Sequence, residues 1–479
     1  MPLFSFIWRS KGDESSGDEC DDKSAEDLSY VGAAAYDVLR RHHNHRHHEL
    51  WNVTKAKIVG DLQFTPTDAF TRVNRTDPVE GHSNWFPKKV LSVMRRTQRW
   101  CDVMSLAPPD GAFMVEFKDA LREICDNQTM DSSLMSGHNC ITIRMMFGNI
   151  VGMPVNCNKL IKELTKDLPA DAHKKLKLWV GSWRKDVSWN HAKLIAVDGQ
   201  YLWTGGHNFW DAHYLRSKPV NDLSLEMEGG VARDAHKFAN SQWGYVVKKQ
   251  STAWGRFIDK NLPDSIDVPR RARVTVSDFP AGSAAEFPPR YKDRKQIMRR
   301  GIKDDPNYVP VITMGRYGQL LKKARPSDDG IEAMLKSAKT VLRLALQDLG
   351  PPALPGTKMA LPGLSWPHVY LRALAKVIWE RSVTVEIVLS NPGSIPGDLS
   401  PTEANYGNGW TCVDVAAEII KTIKELYPSA PDGELRHKVE ENLRVCYLRS
   451  PEGRHYKDGQ TLYRGRHLLL HWEPKSLLV

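Results

Sequence analysis

The feature that most constrains this chain is an alternation of short apolar strands and amphipathic helices that runs through the first half and then starts again in the same order. In the first half the pattern predicts helices over 85–99, 113–124 and 159–165 and strands over 100–106, 140–147 and 177–180. Within 140–147, Thr142, Arg144 and Met146 alternate with Ile141, Ile143 and Met145, the two-residue period that sends side chains to opposite faces of a sheet. The second half predicts helices over 331–339, 370–380 and 413–426 and strands over 340–347, 383–390 and 443–448. Strands interleaved with helices pack as α/β layers, the helices covering a central sheet. The repeated order, in 479 residues, predicts two similar α/β sandwich lobes with a site between them.

The flanking composition sets the domain boundaries. Residues 1–50 read as a disordered or weakly helical tail, since 11–27 are mostly acidic or Ser/Gly and cannot bury a core. The histidines His42, His43, His45, His47 and His48 stand among Arg40, Arg41 and Arg46, and read as a solvated helix face rather than a metal site. A first lobe over 51–263 and a second over 330–479 are joined by a proline-rich linking segment, 264–329, with a strand at 309–314. That segment carries Lys292, Arg294, Lys295, Arg299, Arg300 and Lys303, a basic cluster that reads as a solvated face or as a contact for anionic lipid.

Charge and cysteine content narrow the setting. Lys plus Arg of 67 against Asp plus Glu of 57 leaves +10, which favours anionic partners, phospholipid headgroups or nucleic acid, without choosing between them. The seven cysteines are odd in number and lack C-x-x-C pairing, so reduced thiols are expected. The apolar start at 1–8 is short and has no charged leader, and no later apolar run approaches the ~20 residues of a membrane span. A cytoplasmic or peripheral membrane location is therefore expected over secretion.

Chemistry concentrates in 188–210, SWNHAKLIAVDGQYLWTGGHNFW. His191, Lys193 and Asp198 stand as H-x-K-x4-D, followed by Gly205, Gly206 and Asn208. The apolar run 194–197 reads as a buried strand that puts His191 and Lys193 on one face, and Asp198-Gly199 is a turn dipeptide leading to a second strand at 200–204. Gly205-Gly206 would let backbone N–H groups approach an anion. An imidazole and an ammonium aimed at one spot suit phosphodiester transfer without a metal. The neutral His attacks phosphorus, the Lys neutralises the phosphoryl oxygens, and a second acid protonates the leaving alcohol. Trp203, Phe209 and Trp210 are expected to pack around the motif.

These residues resemble the signature of the phospholipase D superfamily; SWNHAKLIAVDG with TGGHNFWD is similar to the first motif of its secreted bacterial and fungal enzymes. The resemblance continues through LQDLGP at 346–351, VEIVLSNPGSIPG at 385–397 and LSPTEANYGNGW at 399–410, and covers roughly 51–458. It implies two α/β lobes, each on a central mixed sheet, and a cofactor-free, metal-independent hydrolase acting on glycerophospholipids such as phosphatidylcholine. It further implies His191 as nucleophile, Lys193 as phosphate binder, Gly206 and Asn208 as phosphate supports, and Asp198 as a member of the motif that serves local structure. Water or a primary alcohol would resolve the phosphohistidine. Phospholipid is then the expected partner, with peripheral membrane contact and no nucleic acid.

In the family each lobe supplies one H-x-K-x4-D motif. His191 lies 12 positions after Trp179, and an equal count from Tyr447 reaches Gly459. Near it His455-Tyr456-Lys457 has the first two members but Leu462 at the Asp position, while His467 and His471 are followed by Leu468 and Trp472. The second motif is expected to be missing or truncated, the reading changing near Leu462, with His455 or His471 as weak candidates for the second acid. Two other classes stay open: an inactive lipid-binding half-site, and a nuclease or other phosphodiesterase of the same superfamily.

Overall fold

The computed structural model describes residues 25–43, 50–65, 82–127, 140–150, 153–185, 188–215, 220, 222–261, 273–276, 288–292, 305–316, 325–347, 349–350, 368–390 and 410–447. The strands, in chain order, are β1 (Trp51–Ile58), β2 (Gln63–Thr65), β3 (Trp100–Ser105), β4 (Ile141–Gly148), β5 (Leu176–Lys185), β6 (Ser188–Trp189), β7 (Leu194–Val197), β8 (Tyr201–Gly205), β9 (Asp222–Gly229), β10 (Arg273–Val276), β11 (Val309–Met314), β12 (Val341–Leu346), β13 (Thr384–Leu389) and β14 (Leu443–Tyr447).

A large mixed sheet runs β10-β5-β4-β3-β7-β8-β9-β1-β11, with β2 beside β9 and β6 beside β5. β3, β4 and β5 are parallel, and from β7 to β11 every neighbour is antiparallel. Alternation along each strand feeds two cores. Val103, Met145, Ile195 and Val197 pack with Phe86, Phe113, Phe117 and Leu160 from the helices His82–Met94, Gly111–Asn127 and Cys157–Thr165. Met104, Met146, Leu194 and Ala196 face the other way, against Val231, Ala235 and Val246 of the helix Val231–Gln250. A sheet covered on both faces is the α/β architecture that the alternation predicts.

The second sheet is β12-β13-β14, parallel throughout these three strands. Val385, Ile387 and Val445 pack on Leu374, Ile378, Ile419 and Ile423 from the helices His368–Arg381 and Cys412–Leu426. The latter helix starts with a capping box, Thr411 accepting from the Asp414 N–H while Asp414 accepts from the Thr411 N–H. Element for element this repeats the first lobe: a helix, then β3-helix-β4-helices-β5 there and β12-helix-β13-helices-β14 here. In the first lobe the chain then enters the β7–β8 hairpin; in the second it enters 448–479, which with His455, His467 and His471 lies outside the described residues.

Most elements begin and end within a few residues of their expected positions. Segment 264–329 does more than connect: β10 and β11 form both edges of the large sheet, on β5 and β1. The helix Asp432–Asn442 was not expected, because only Leu435 and Val439 of its mostly charged residues are buried. His43, expected on a solvated face, is buried instead; its Nε2 lies 2.6 Å from Asp329 Oδ2 and its carbonyl accepts from Trp51 Nε1, tying the helix Tyr30–His42 to Pro326–Ser337. The six described cysteines are unbridged. Among the described residues no helix is long and apolar enough to cross a membrane.

Candidate active site

The expected convergence of His191 and Lys193 is present, though not by strand alternation. Residues 190–193 lie outside any ladder, and β7 starts at Leu194. Asn190 holds this segment: its buried amide donates to Ser105 O at 2.8 Å and to Met146 O at 3.3 Å, and its Oδ1 accepts from the Ala192 N–H. The loop is thereby pinned across the ends of β3 and β4. From there Lys193 folds back, its Nζ 3.1 Å from His191 Nδ1 and 2.9 Å from His191 O. An ammonium only donates, so Nδ1 accepts and the neutral ring carries its proton on Nε2.

Burial dominates the electrostatics. Lys193 is buried, and desolvation drops its pKa from 10.5 to about 7 against the opposing pull of the Asp222 carboxylate. His191 presents an edge to solvent, yet the protein around its ring, and then the Lys193 charge, lower its pKa to about 4. The pair lines a cavity of about 670 Å³ with Thr204 and the apolar side chains Trp183, Leu194, Leu202, Met227 and Phe238.

Asp198 sits at the far end of β7, on the order of 15 Å from Lys193 at a strand rise of about 3.3 Å per residue. Its φ is +53° and that of Gly199 is +70°, left-handed values that close the β7–β8 hairpin, with the Gln200 N–H donating to Val197 O. The Asp198 carboxylate accepts from the backbone N–H groups of Gln98, Arg99 and Trp100 at 2.8, 3.0 and 2.7 Å. A deeper relay holds the same turn: Gly199 N–H donates to His236 Nε2, and His236 Nδ1 lies 2.6 Å from Asp102, which Arg144 grips through two nitrogens at 2.7 and 2.8 Å. Desolvation alone would raise the pKa of the buried Asp102, but the Arg144 charge and the hydrogen bond from His236 hold it at about 2.

Gly205 and Gly206 admit neighbours rather than leaving N–H groups open. The Gly206 N–H donates to Leu223 O at 2.8 Å, and a Cβ on Gly206 would lie 1.7 Å from Asp222 Oδ1. A Cβ on Gly205 would lie 2.2 Å from Ser224 Oγ. Asn208 donates its backbone N–H to Tyr214 Oη, which in turn donates to Asp222 Oδ2, and the buried Asn208 Oδ1 has no partner among the described residues. Trp203 and Phe209 are fully buried, with ring centroids 5.7 Å apart. Trp210 is held through its Nε1 by Pro108 O.

Three residues of this neighbourhood escaped sequence reasoning: Asn190, Asp222 and His213. His213 is buried, its ring 4.5 Å from that of Trp210, and neither ring nitrogen has a hydrogen-bond partner among the described residues. Desolvation, and then the charge of Lys193, lower its pKa to about 4. Its short distance from the motif in sequence was the available signal. Among the described residues no three His, Cys, Asp or Glu side chains group as metal ligands.

No family model matches the chain. Over 403 residues it is 32% identical to the phospholipase D of Streptomyces antibioticus, a match covering 79% of this chain and 67% of that protein. Solved structures give looser likenesses. Nuc of Salmonella typhimurium, a phospholipase D family member, is 14% identical, with 40% of this chain and 95% of that one covered at a TM-score of 0.23. The phosphatidylserine synthase of Haemophilus influenzae is 12% identical, with 88% and 78% covered at 0.40. At these scores the structural likenesses add nothing to the sequence match.

Proposed function

The chain belongs to the phospholipase D superfamily of phosphodiesterases, and from that membership we propose that it cleaves glycerophospholipids such as phosphatidylcholine through a phosphohistidine on His191. The observation that carries the reading is the Lys193–His191 contact of 3.1 Å at the wall of a largely apolar cavity. A phosphoryl oxygen entering beside Lys193 replaces His191 as the acceptor of its hydrogen bond. That releases an imidazole lone pair for attack on phosphorus, while the ammonium neutralises the developing charge. As the N–P bond forms, the P–O bond to the headgroup alcohol breaks. Water, or a primary alcohol, then displaces the histidine.

Asn208 supports this reading as a second phosphate contact through its Nδ2 donor, not through the unmet Oδ1, an acceptor that a phosphate oxygen cannot satisfy. His213 supports it as a third, its unpartnered imidazole lying within reach of the Lys193 charge. The leaving alkoxide takes its proton from a second acid, for which the sequence offers His455 and His471. Asp198 braces the hairpin and takes no part in proton transfer.

The test is turnover of phosphatidylcholine vesicles in the presence of a primary alcohol. Phosphatidyl-alcohol formed by the 479-residue chain and abolished in His191→Ala supports the reading. Cleavage of DNA that falls steeply with salt, with no lipid turnover, would favour a nuclease instead.

A further inference from the structure

We propose that the helix Ala253–Asn261 is a membrane anchor that seats the protein on anionic lipid through Trp254 and Phe257. The two rings are the most conspicuous apolar groups on the described surface of this region: Trp254 is 68% exposed and Phe257 54%. They stand three positions apart, on one helical face. Their rings stack on each other, centroids 5.5 Å apart and planes inclined by 13°, rather than turning into the core. No slot remains between them for a nucleic-acid base.

The mount is stiff. The helix Val231–Gln250 ends at an elbow where Thr252 Oγ1 donates to Lys249 O and accepts from the Gly255 N–H. A Cβ on Gly255 would lie 2.3 Å from Lys249 O, so the two helices meet at that glycine as closely as backbones allow. The elbow holds the aromatic pair outward.

Charge selects the partner. Lys248 and Lys249 are exposed beside the elbow. Two aromatic side chains offer about 300 to 500 Å², well short of the ~800 Å² per partner of a stable protein interface. An indole and a phenyl ring flanked by lysines instead suit the headgroup boundary of a bilayer, where aromatic rings settle and basic side chains meet lipid phosphates. At about 1.5 Å per residue, the elbow lies roughly 15 Å along the helix from Gln242, which lines the cavity. The anchor deepens the phospholipid reading, on which its choice of partner rests.

Co-sedimentation with vesicles of phosphatidylcholine mixed with phosphatidylglycerol tests it, alongside turnover of the soluble diester bis(p-nitrophenyl) phosphate. Trp254→Ala/Phe257→Ala is expected to weaken vesicle partition roughly ten-fold or more, with soluble turnover unchanged. Lys248→Glu/Lys249→Glu, which alters only exposed side chains, is expected to weaken it by about five-fold per lysine on anionic vesicles alone. Wild-type protein that ignores the vesicles, or binding that neither variant weakens, overturns the proposal. So does vesicle binding left intact while the aromatic variant loses self-association or single-stranded DNA binding. Vesicle binding through Trp254 without turnover of any diester would keep the anchor and sink the catalytic reading.

Discussion

The Nζ of Lys193 stands 3.1 Å from the Nδ1 of His191, and the two groups need opposite protonation states to work. His191 attacks only when neutral, which holds above its depressed pKa of about 4. Lys193 neutralises phosphate only when charged, which holds below about 7. The kcat/KM for a soluble phosphodiester should therefore be bell-shaped, with limbs near 4 and 7 that belong to the pair. A profile flat across this range, or an optimum on the alkaline side of 7, would contradict the assignment.

The same burial makes Lys193 a stability liability. Its folded pKa, about 7, lies below its unfolded value of 10.5, so between these pH values the unfolded chain holds a proton that the folded chain has released. Stability from this group thus rises with pH across that window and is lowest at and below neutrality. Lys193→Met is expected to abolish turnover while stabilising the fold at pH 6 by about 2 kcal/mol, roughly 4 °C in Tm. Thermal melts should show the advantage shrinking toward pH 10.

Asp198 predicts the reverse combination. Removing the carboxylate strips acceptors from three backbone N–H groups in the Gln98–Trp100 turn. Asp198→Ala should lose about 1 to 3 kcal/mol by denaturant titration, yet the folded fraction should keep far more activity than His191→Ala. Equal losses of activity in the two variants would place Asp198 in the chemistry.

His213 should report on bound anion. Followed by its imidazole NMR signals, it is expected to titrate near 4 and to move upward when inorganic phosphate is added, because an anion beside the ring favours its charged form. His213→Phe should weaken phosphate binding roughly ten-fold, and His213→Gln, which keeps a donor, should recover part of it. A titration indifferent to phosphate would make the ring structural.

What the sequence discloses here follows from how local each signal is. The strands of the first lobe and the Asp198-Gly199 turn are written in apolar periodicity and a turn dipeptide, and the hairpin forms as those signals imply. The His191–Lys193 contact was expected from strand alternation, but it is made by a loop that Asn190 ties to carbonyls 85 and 44 residues away. No periodicity carries that. The glycine pair was read as open to an anion because sequence shows glycines and not what approaches them; Asp222 and Ser224 fill the space. His213 looked like any histidine until the fold buried it near Lys193. Likewise the strand 273–276 was hidden among prolines, and only pairing with β5 defines it, whereas the strand expected over 309–314 forms and pairs with β1.

The central claim is that phosphorus becomes bonded to His191. Its most direct test is to quench the enzyme with a ³²P-labelled phospholipid substrate during turnover and map the label by peptide. The account predicts an acid-labile, alkali-stable adduct on the peptide carrying His191, absent from His191→Ala. Turnover that proceeds with no labelled peptide, or with the label on another residue, would contradict it.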